Sequence, residues 1–203
     1  MVKVKICGIT NLEDALACYF YHADAIGFVF YRNSPRYINL DKARQIGRIL
    51  PKDILKVGVF VNEAEKKIKR IAEYCRLDML QFHGDESFEF CSRFKGYKVI
   101  KAFNVCTGFD ISVLRRYSVY GFLFDSCISG KRGGTGKKFD WNSIKCRAKI
   151  KRPLFLSGGL NSANIKYALK KIKPDWVDLS SSVEVYPGKK DHLKISNFIS
   201  KIK

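Results

Sequence analysis

The chain has 203 residues, 46% of them hydrophobic, and carries a formal net charge of +19 from 38 basic and 19 acidic residues. Such a chain is long enough to bury a core, and no apolar run approaches the roughly 20 residues that span a bilayer. The first residues have the pattern of a strand and not of a signal peptide, so we expect a cytoplasmic protein with no membrane contact.

The cysteines and histidines are too dispersed for a metal site. The nearest two cysteines, Cys7 and Cys18, are too far apart for a CxxC motif, and the three histidines lie far from one another. We therefore expect no metal and, in a reducing compartment, free thiols that are mostly buried.

The positive charge has two explanations: a surface that binds nucleic acid, or a lysine-rich coat on an enzyme with an anionic substrate. Basic residues are scattered along the chain, mostly in helix-type stretches such as "EAEKKIKRIAEY", with no basic tail. This distribution favours the solvated coat, and we expect no nucleic-acid partner. A non-catalytic basic protein that binds nucleic acid is the alternative.

Short β-type runs alternate with stretches of helical period along the chain. Helices are predicted from a capping box at Thr10 and Glu13, from caps at Asn39 and Asn62, and more weakly at Asp110–Arg116 and Asp140–Lys145. Two further apolar stripes predict helices near the end of the chain. The predicted strands are Val2–Ile6, Ala25–Phe30, Leu55–Val61, Met79–Phe82, Lys98–Ala102, Gly121–Phe124, Leu154–Leu156 and Trp176–Leu179.

Eight strand–helix units of about 25 residues are typical of a parallel α/β sheet with crossover helices. We predict a single-domain (β/α)8 TIM barrel over residues 1–203, at the short end of the length range for that fold. A doubly wound open sheet is the alternative, but "CGIT" after the first strand is not its GxGxxG fingerprint.

Active sites of such barrels lie at the carboxyl ends of the strands, where Cys7 and Asp125 are found. A thiol serves as a general base if nearby positive charge lowers its pKa, and a carboxyl serves as a general acid if an apolar setting keeps it protonated. The plainer interpretations are a core cysteine and a helix-capping aspartate.

Three segments have the composition of an anion cradle. They are "GGTGK" with Gly133, Gly134 and Gly136, "SGG" with Ser157, Gly158 and Gly159, and "SSS" beginning at Ser180 and Ser181. Glycine lets backbone N–H groups approach a phosphate, and barrels of this class commonly bind phosphate after the last two strands. We therefore expect a small phosphorylated, anionic substrate.

Eight motifs in register from Lys3 to about His192 resemble the phosphoribosylanthranilate isomerase family. They are "KICGIT", "GFVFYRNSPRYI", "VGVFVNE", "QFHGDE", "FDS", "GGTGKKFDW", "LSGGLN" and "VDLSSSVE". The resemblance implies a TIM barrel of tryptophan biosynthesis that uses no metal or organic cofactor and occurs as a monomer or a homodimer.

The resemblance also implies an Amadori rearrangement of N-(5-phosphoribosyl)anthranilate. The family's general base matches Cys7, its general acid matches Asp125, and its arginine for the anthranilate carboxylate matches Arg36. We add Asp178 and His83 as candidate substrate contacts, although either could be structural. The alternative among enzymes is a sibling phosphate-binding barrel that acts on a histidine- or tryptophan-pathway intermediate. Cys7 disfavours the isomerase of histidine synthesis, which is thought to use paired aspartates.

One position departs from the family pattern, since Ser182 stands where the family commonly has glycine. If that position requires a positive φ angle, serine there is strained by roughly 1–2 kcal/mol. If it requires only a small residue, serine adds a hydroxyl near the phosphate.

Overall fold

The protein, seen in a computed structural model that describes residues 1–106, 109–126 and 150–203, is built on a closed parallel barrel. The eight strands pair in chain order, and β8 pairs with β1 through Lys5 and Asp178. This closure confirms the TIM barrel and makes the doubly wound alternative wrong. The strands are β1 (Lys3–Cys7), β2 (Ala25–Val29), β3 (Leu55–Phe60), β4 (Met79–Phe82), β5 (Lys98–Val105), β6 (Gly121–Ser126), β7 (Leu154–Leu156) and β8 (Trp176–Leu179).

Helices surround the barrel, and a small hairpin follows the last barrel strand. The hairpin pairs β9 (Glu184–Tyr186) with β10 (Lys189–Lys190), and the sequence pattern did not predict it. The described helices are α1 (Leu12–Phe20), α2 (Leu40–Ile49), α3 (Glu65–Cys75), α4 (Phe88–Ser92), α5 (Ile165–Ile172) and α6 (His192–Ile199), with 3₁₀ segments at Ile111–Arg116 and Ser181–Val183.

Three strands run further than predicted, β1, β5 and β6, and in β1 and β6 the extension includes a candidate catalytic residue. Cys7 pairs with Gly27 of β2, and Asp125 pairs with Asn104 of β5. Because neighbouring strands continue the ladder, both residues lie on the strands themselves. Strand alternation then decides where their side chains point.

The predicted capping box at Thr10 and Glu13 is wrong. Helix α1 is capped instead by Asn11, whose side chain accepts a hydrogen bond from the backbone N–H of Asp14 at 2.9 Å. The Thr10 hydroxyl donates to the carbonyl of Gly188 in the hairpin turn at 2.5 Å, a tertiary partner that local sequence does not reveal. The cap at Asn39 is confirmed, since its side chain accepts from Lys42 N.

Asn62 is not a helix cap either. Helix α3 begins after Ala64, which makes no side-chain capping bond. Asn62 has a positive φ of 49°, and its side-chain oxygen accepts a hydrogen bond from the N–H of Asp85 at 2.7 Å. It therefore fixes the loop after β4. The predicted helix at Asp140–Lys145 lies outside the described residues.

Apolar side chains close the amino-terminal end of the barrel. Phe155 and Trp176 stack there with ring centroids 5.0 Å apart. A separate and larger core lies between the strands and the helices. The inward-facing residues of the closed end are Ala25, Val57, Met79, Ile100, Ala102, Leu123, Phe155 and Trp176. With this end sealed, the inward polar side chains are confined to the other end.

The free-thiol expectation holds for four buried cysteines, Cys7, Cys18, Cys75 and Cys91. It is wrong for Cys106, which is disulfide-bonded and lies exposed after β5, where burial does not shield it from another thiol. Among the residues that the structure describes, no group of three or more His, Cys, Asp or Glu side chains is placed to hold a metal ion. Over the same residues, no helix has both the length and the apolar character to cross a membrane.

Candidate active site

Above the apolar floor, buried polar side chains enter the barrel interior from β1, β4, β6 and β8. Strand alternation places Lys5 and Cys7 of β1 on the inner face, two residues apart. The same alternation turns Asp125 of β6 and Asp178 of β8 inward, while Phe124 and Leu179 face the helices. The carboxyl end of the barrel thus holds a cluster of ionisable groups, as the sequence predicts.

Cys7 lies at the mouth of the barrel and is 9% exposed. Gly27 on β2 makes room for the thiol, because a Cβ atom there would stand only 2.8 Å from Cys7 Sγ. Burial raises the pKa of the Cys7 thiol, and the ammonium groups of Lys5 and Lys190 oppose that rise. These two cations lessen the rise without reversing it, so the pKa of Cys7 stays above its usual value.

Lys5 is fully buried and forms an ion pair with Asp178, with 2.8 Å between Nζ and Oδ1. Burial by itself would lower the pKa of Lys5, but the charges of Asp178 and of the Cys7 sulfur raise it overall. Lys5 is therefore a permanent cation beside the thiol. Asp178 holds Lys5 in place through Oδ1, so at least this oxygen has a structural role.

Asp125 is buried at 4% exposure and faces His83 at the end of β4, with 3.5 Å between Oδ2 and Nε2. The other ring nitrogen of His83 lies 3.1 Å from Gln81 Nε2. Gln81 is inward-facing and buried, so it orients the imidazole. His83 therefore contacts a candidate catalytic group.

The cysteine and aspartate halves of the site are joined through Asp178. Burial raises the pKa of Asp178; the Lys5 ammonium opposes that rise, the Asp125 charge adds to it and His83 opposes it. The Asp178 carboxylate thus interacts electrostatically with Lys5 on one side and with Asp125 and His83 on the other. The structure brings together four of the predicted site residues at one end of the barrel.

Arg36 reaches the same mouth from the loop after β2. Its Nε and Nη2 atoms donate to both oxygens of Glu184, at distances from 2.6 to 3.1 Å. Gly8 is required for this placement, because a Cβ atom there would stand 2.6 Å from the Arg36 side chain. The space that Gly8 leaves is thus used by Arg36, and Gly27 is the residue that leaves room for the thiol.

Two of the three predicted phosphate segments can be placed. Gly158 and Gly159 follow β7 with φ angles of 85° and 66°, a region that favours glycine. Ser180 follows β8, and its hydroxyl is buried with no hydrogen-bond partner among the described residues. The third segment, with Gly133, Gly134 and Gly136, lies outside the described residues.

Comparison with known proteins agrees with this geometry. The family model for N-(5'-phosphoribosyl)anthranilate isomerase matches residues 4–201. The chain is 47% identical to the enzyme of that name from Thermotoga neapolitana, over 100% of this chain and 99% of that one. The chain belongs to the N-(5'-phosphoribosyl)anthranilate isomerase family.

Solved structures of the family superpose closely on this isomerase. The Thermotoga maritima enzyme is 46% identical with a TM-score of 0.92, covering 98% of each chain. A second is a complex with reduced 1-(o-carboxyphenylamino)-1-deoxyribulose 5-phosphate; it is 44% identical with a TM-score of 0.88, covering 98% of this chain and 97% of that one. The chain is thus an isomerase of tryptophan biosynthesis with a TIM-barrel fold.

The serine that departs from the family pattern is not strained. Ser182 lies in the 3₁₀ segment Ser181–Val183 and is not among the residues with a positive φ. The strain alternative is therefore wrong, and a small residue in ordinary backbone is sufficient at this position.

We expect the variant Ser182→Gly to leave the KM for the phosphorylated substrate within roughly twofold of the wild-type value. There is no φ strain to relieve, and glycine adds backbone freedom in the unfolded chain, so the free energy of unfolding falls by up to about 1 kcal/mol. Steady-state kinetics and urea unfolding measure the two quantities. A KM that falls tenfold would contradict the ordinary backbone seen here.

Two residues that contact the predicted site residues were not themselves predicted, Glu184 and Lys190 of the hairpin. Glu184 holds Arg36, and Lys190 contacts the carbonyl of Cys7 at 2.6 Å. The Pro187–Gly188 dipeptide is a turn signal that could have indicated the hairpin, and Gly188 has a φ of 90°. Nothing in the local pattern indicates that a lysine in this hairpin is buried.

Proposed function

We propose that Cys7 and Asp125 are the general base and the general acid with which this isomerase rearranges N-(5'-phosphoribosyl)anthranilate to 1-(2-carboxyphenylamino)-1-deoxyribulose 5-phosphate. The observation that carries the proposal is their placement. Both are inward-facing at the carboxyl end of the barrel, one beside the buried cation Lys5 and the other beside His83. An acid and a base on separate strands suit a reaction with two proton transfers at different atoms.

Ring opening is the first transfer. The Asp125 carboxyl donates a proton to the ring oxygen of the ribose, the bond from C1 to that oxygen breaks, and the anthranilate nitrogen supplies the electron pair that forms a protonated Schiff base. His83 and Gln81 keep the Asp125 side chain aimed into the barrel.

Removal of the C2 proton is the second transfer. The positive Schiff base acidifies the hydrogen on C2, and the Cys7 thiolate takes it to give an enolamine, which tautomerises to the ketone. Lys5 stabilises the thiolate electrostatically, and Asp178 holds Lys5 in place. The Asp178 oxygen that does not pair with Lys5 is assigned to a contact with the substrate amine or hydroxyls.

Substrate binding uses the two ends of the molecule. Arg36 binds the anthranilate carboxylate, since its second guanidinium edge remains available for a bidentate pair. The phosphate is bound by Ser157, Gly158, Gly159, Ser180 and Ser181. The Ser180 hydroxyl supports this assignment, because it is buried with no hydrogen-bond partner among the described residues. Gly133, Gly134 and Gly136 are proposed on sequence alone.

The remaining features of the proposal follow from this chemistry. General acid–base steps at one sugar require no metal or organic cofactor. The substrate is a phosphorylated anion that does not cross membranes unaided, which supports a cytoplasmic location. We further propose that residues 1–203 form one domain that works as a monomer or a homodimer and has no nucleic-acid partner.

The pKa of Cys7 leads to a testable pH dependence. Only the thiolate is alkylated, and burial raises the pKa of Cys7, so at a given pH it carries less thiolate than an ordinary cysteine. We expect alkylation of Cys7 by iodoacetamide to keep rising, about tenfold per pH unit, beyond the ordinary cysteine value of about 8.5. Peptide mass spectrometry after timed alkylation measures the rate at Cys7 alone.

The variant Lys5→Met extends that test. It removes the cation that opposes the pKa rise, so alkylation at pH 8 becomes slower than in the wild type. Circular dichroism shows whether the variant is folded. A wild-type rate that levels off below pH 8 would contradict the raised pKa.

The experiment that tests the proposal is complementation of a tryptophan auxotroph that lacks this isomerase. The wild type should restore growth, whereas Cys7→Ser and Asp125→Asn should not. Growth with all three proteins would overturn the assignment of base and acid. Failure of a folded wild type, together with salt-dependent binding to random DNA, would favour the nucleic-acid alternative.

A further inference from the structure

A buried lysine of the hairpin lies at the centre of the site. Lys190 is 1% exposed, yet its ammonium group is fully engaged. It donates to the carbonyl of Cys7 at 2.6 Å, to Glu184 Oε1 at 2.7 Å and to the carbonyl of Ser180 at 3.4 Å. One side chain therefore touches the strand that carries the base, the loop that follows β8 and the partner of Arg36.

Glu184 is shared between two cations. Lys190 and Arg36 both donate to its carboxylate, which is 3% exposed. Burial would raise the pKa of Glu184, but the hydrogen bonds and charges of Arg36 and Lys190 lower it overall. Glu184 is thus ionised at neutral pH, and its negative charge faces both cations.

Arg36 has one occupied edge and one open edge. The Nε and Nη2 atoms bind Glu184, and Nη1 makes no hydrogen bond to any residue that the structure describes. The side chain is 15% exposed, the most accessible of the three charged groups. A second carboxylate can therefore approach the guanidinium from the mouth.

The charges of this group determine how strongly it attracts an anion. Arg36 and Glu184 alone sum to zero, so an approaching carboxylate would meet an attraction to one and a repulsion from the other. With Lys190 the group carries a net charge of +1. At low dielectric, a net charge of +1 attracts a carboxylate much more strongly than a net charge of zero. The buried lysine thereby restores the charge that Glu184 removes from Arg36.

We propose that Lys190 is a positioning residue that offsets the Glu184 charge, so that Arg36 stays oriented by Glu184 and still attracts the substrate carboxylate. This inference rests on the proposed function of Arg36 as the carboxylate ligand. Its consequence is a specific coupling: loss of Lys190 weakens substrate binding only as long as Glu184 keeps its charge.

Steady-state kinetics on a small set of variants test this coupling. We expect Lys190→Met to raise KM about tenfold or more, with a smaller change in kcat, since one charge-assisted pair is weakened. The double variant Lys190→Met/Glu184→Gln should return KM to within about threefold of the wild type. Lys189→Met, the same charge change on the neighbouring surface residue, should leave KM unchanged.

Arg36→Met separates this inference from the proposed function. If Arg36→Met leaves KM unchanged, the carboxylate role of Arg36 fails, and the role of Lys190 fails with it. If Arg36→Met raises KM but Lys190→Met does not, only the role of Lys190 is overturned.

A purely structural role of Lys190 gives a different result. If Lys190 serves only to hold the Cys7 and Ser180 carbonyls, the double variant will bind substrate as poorly as Lys190→Met. That result overturns the offset of charge. If Lys190→Met alone does not fold, the double variant, in which Arg36 is the remaining charge of the three, carries the test.

Discussion

The variant Cys7→Ser is expected to lose kcat by roughly 10²–10⁴-fold, the usual contribution of a positioned general base. An alcohol is a far weaker acid than a thiol, so a serine held at this site has almost no alkoxide with which to take the C2 proton. The groups assigned to the phosphate and the carboxylate are untouched, so KM should change little. A fluorescence assay of N-(5'-phosphoribosyl)anthranilate turnover measures both constants.

A second cysteine provides the matched control. Cys75 is buried on α3, outside the barrel mouth, and its thiol donates to the carbonyl of Leu40 at 3.6 Å, as a serine hydroxyl can. Cys75→Ser should therefore retain wild-type turnover with at most a loss of stability. If Cys7→Ser kept more than a tenth of the wild-type kcat, the thiol would not be the base.

The variant Asp125→Asn is expected to lower kcat by a similar factor, roughly 10²–10⁴-fold, because an amide cannot give a proton to the ring oxygen. Asparagine has nearly the same shape and keeps a polar contact to His83, so the barrel should remain folded. Ring opening becomes the slow step. The same turnover assay, at saturating substrate, measures the loss.

Asp24→Asn is the control for this change. Asp24 precedes β2 at the opposite end of the barrel, where its carboxylate accepts a hydrogen bond from Val4 N at 2.8 Å. Its replacement should affect stability and leave kcat unchanged. An Asp125→Asn variant as active as Asp24→Asn would show that another group protonates the ring oxygen.

The sequence supports the positions of Cys7 and Asp125 but does not identify their neighbours. Strand periodicity places Cys7 and Asp125 near the carboxyl ends of strands, and parallel closure brings those ends together. Both steps depend on local pattern and general geometry. The identity of the neighbours does not follow from local pattern. Lys5 pairs with Asp178, which is 173 residues away in the chain, and His83 contacts Asp125 from a different strand.

Helix starts show the same limit on a smaller scale. Asn39 caps α2 through a bond to a residue three positions on, which local sequence specifies. Thr10 and Asn62 are equally good caps by pattern, but each side chain has a tertiary partner, the hairpin turn or the loop after β4. A polar side chain bonds to whichever donor or acceptor the fold brings to it.

What the sequence by itself determined is the alternation of strands and helices, the family, and the residue types at the carboxyl ends of the strands. These follow from periodicity and from motifs in chain order. The tertiary structure alone decided that Lys5 and Lys190 are buried beside Cys7 and that Glu184 holds Arg36. Burial of a charge is stable only where distant residues supply its partners, and only closure of the barrel and docking of the hairpin create those pairs.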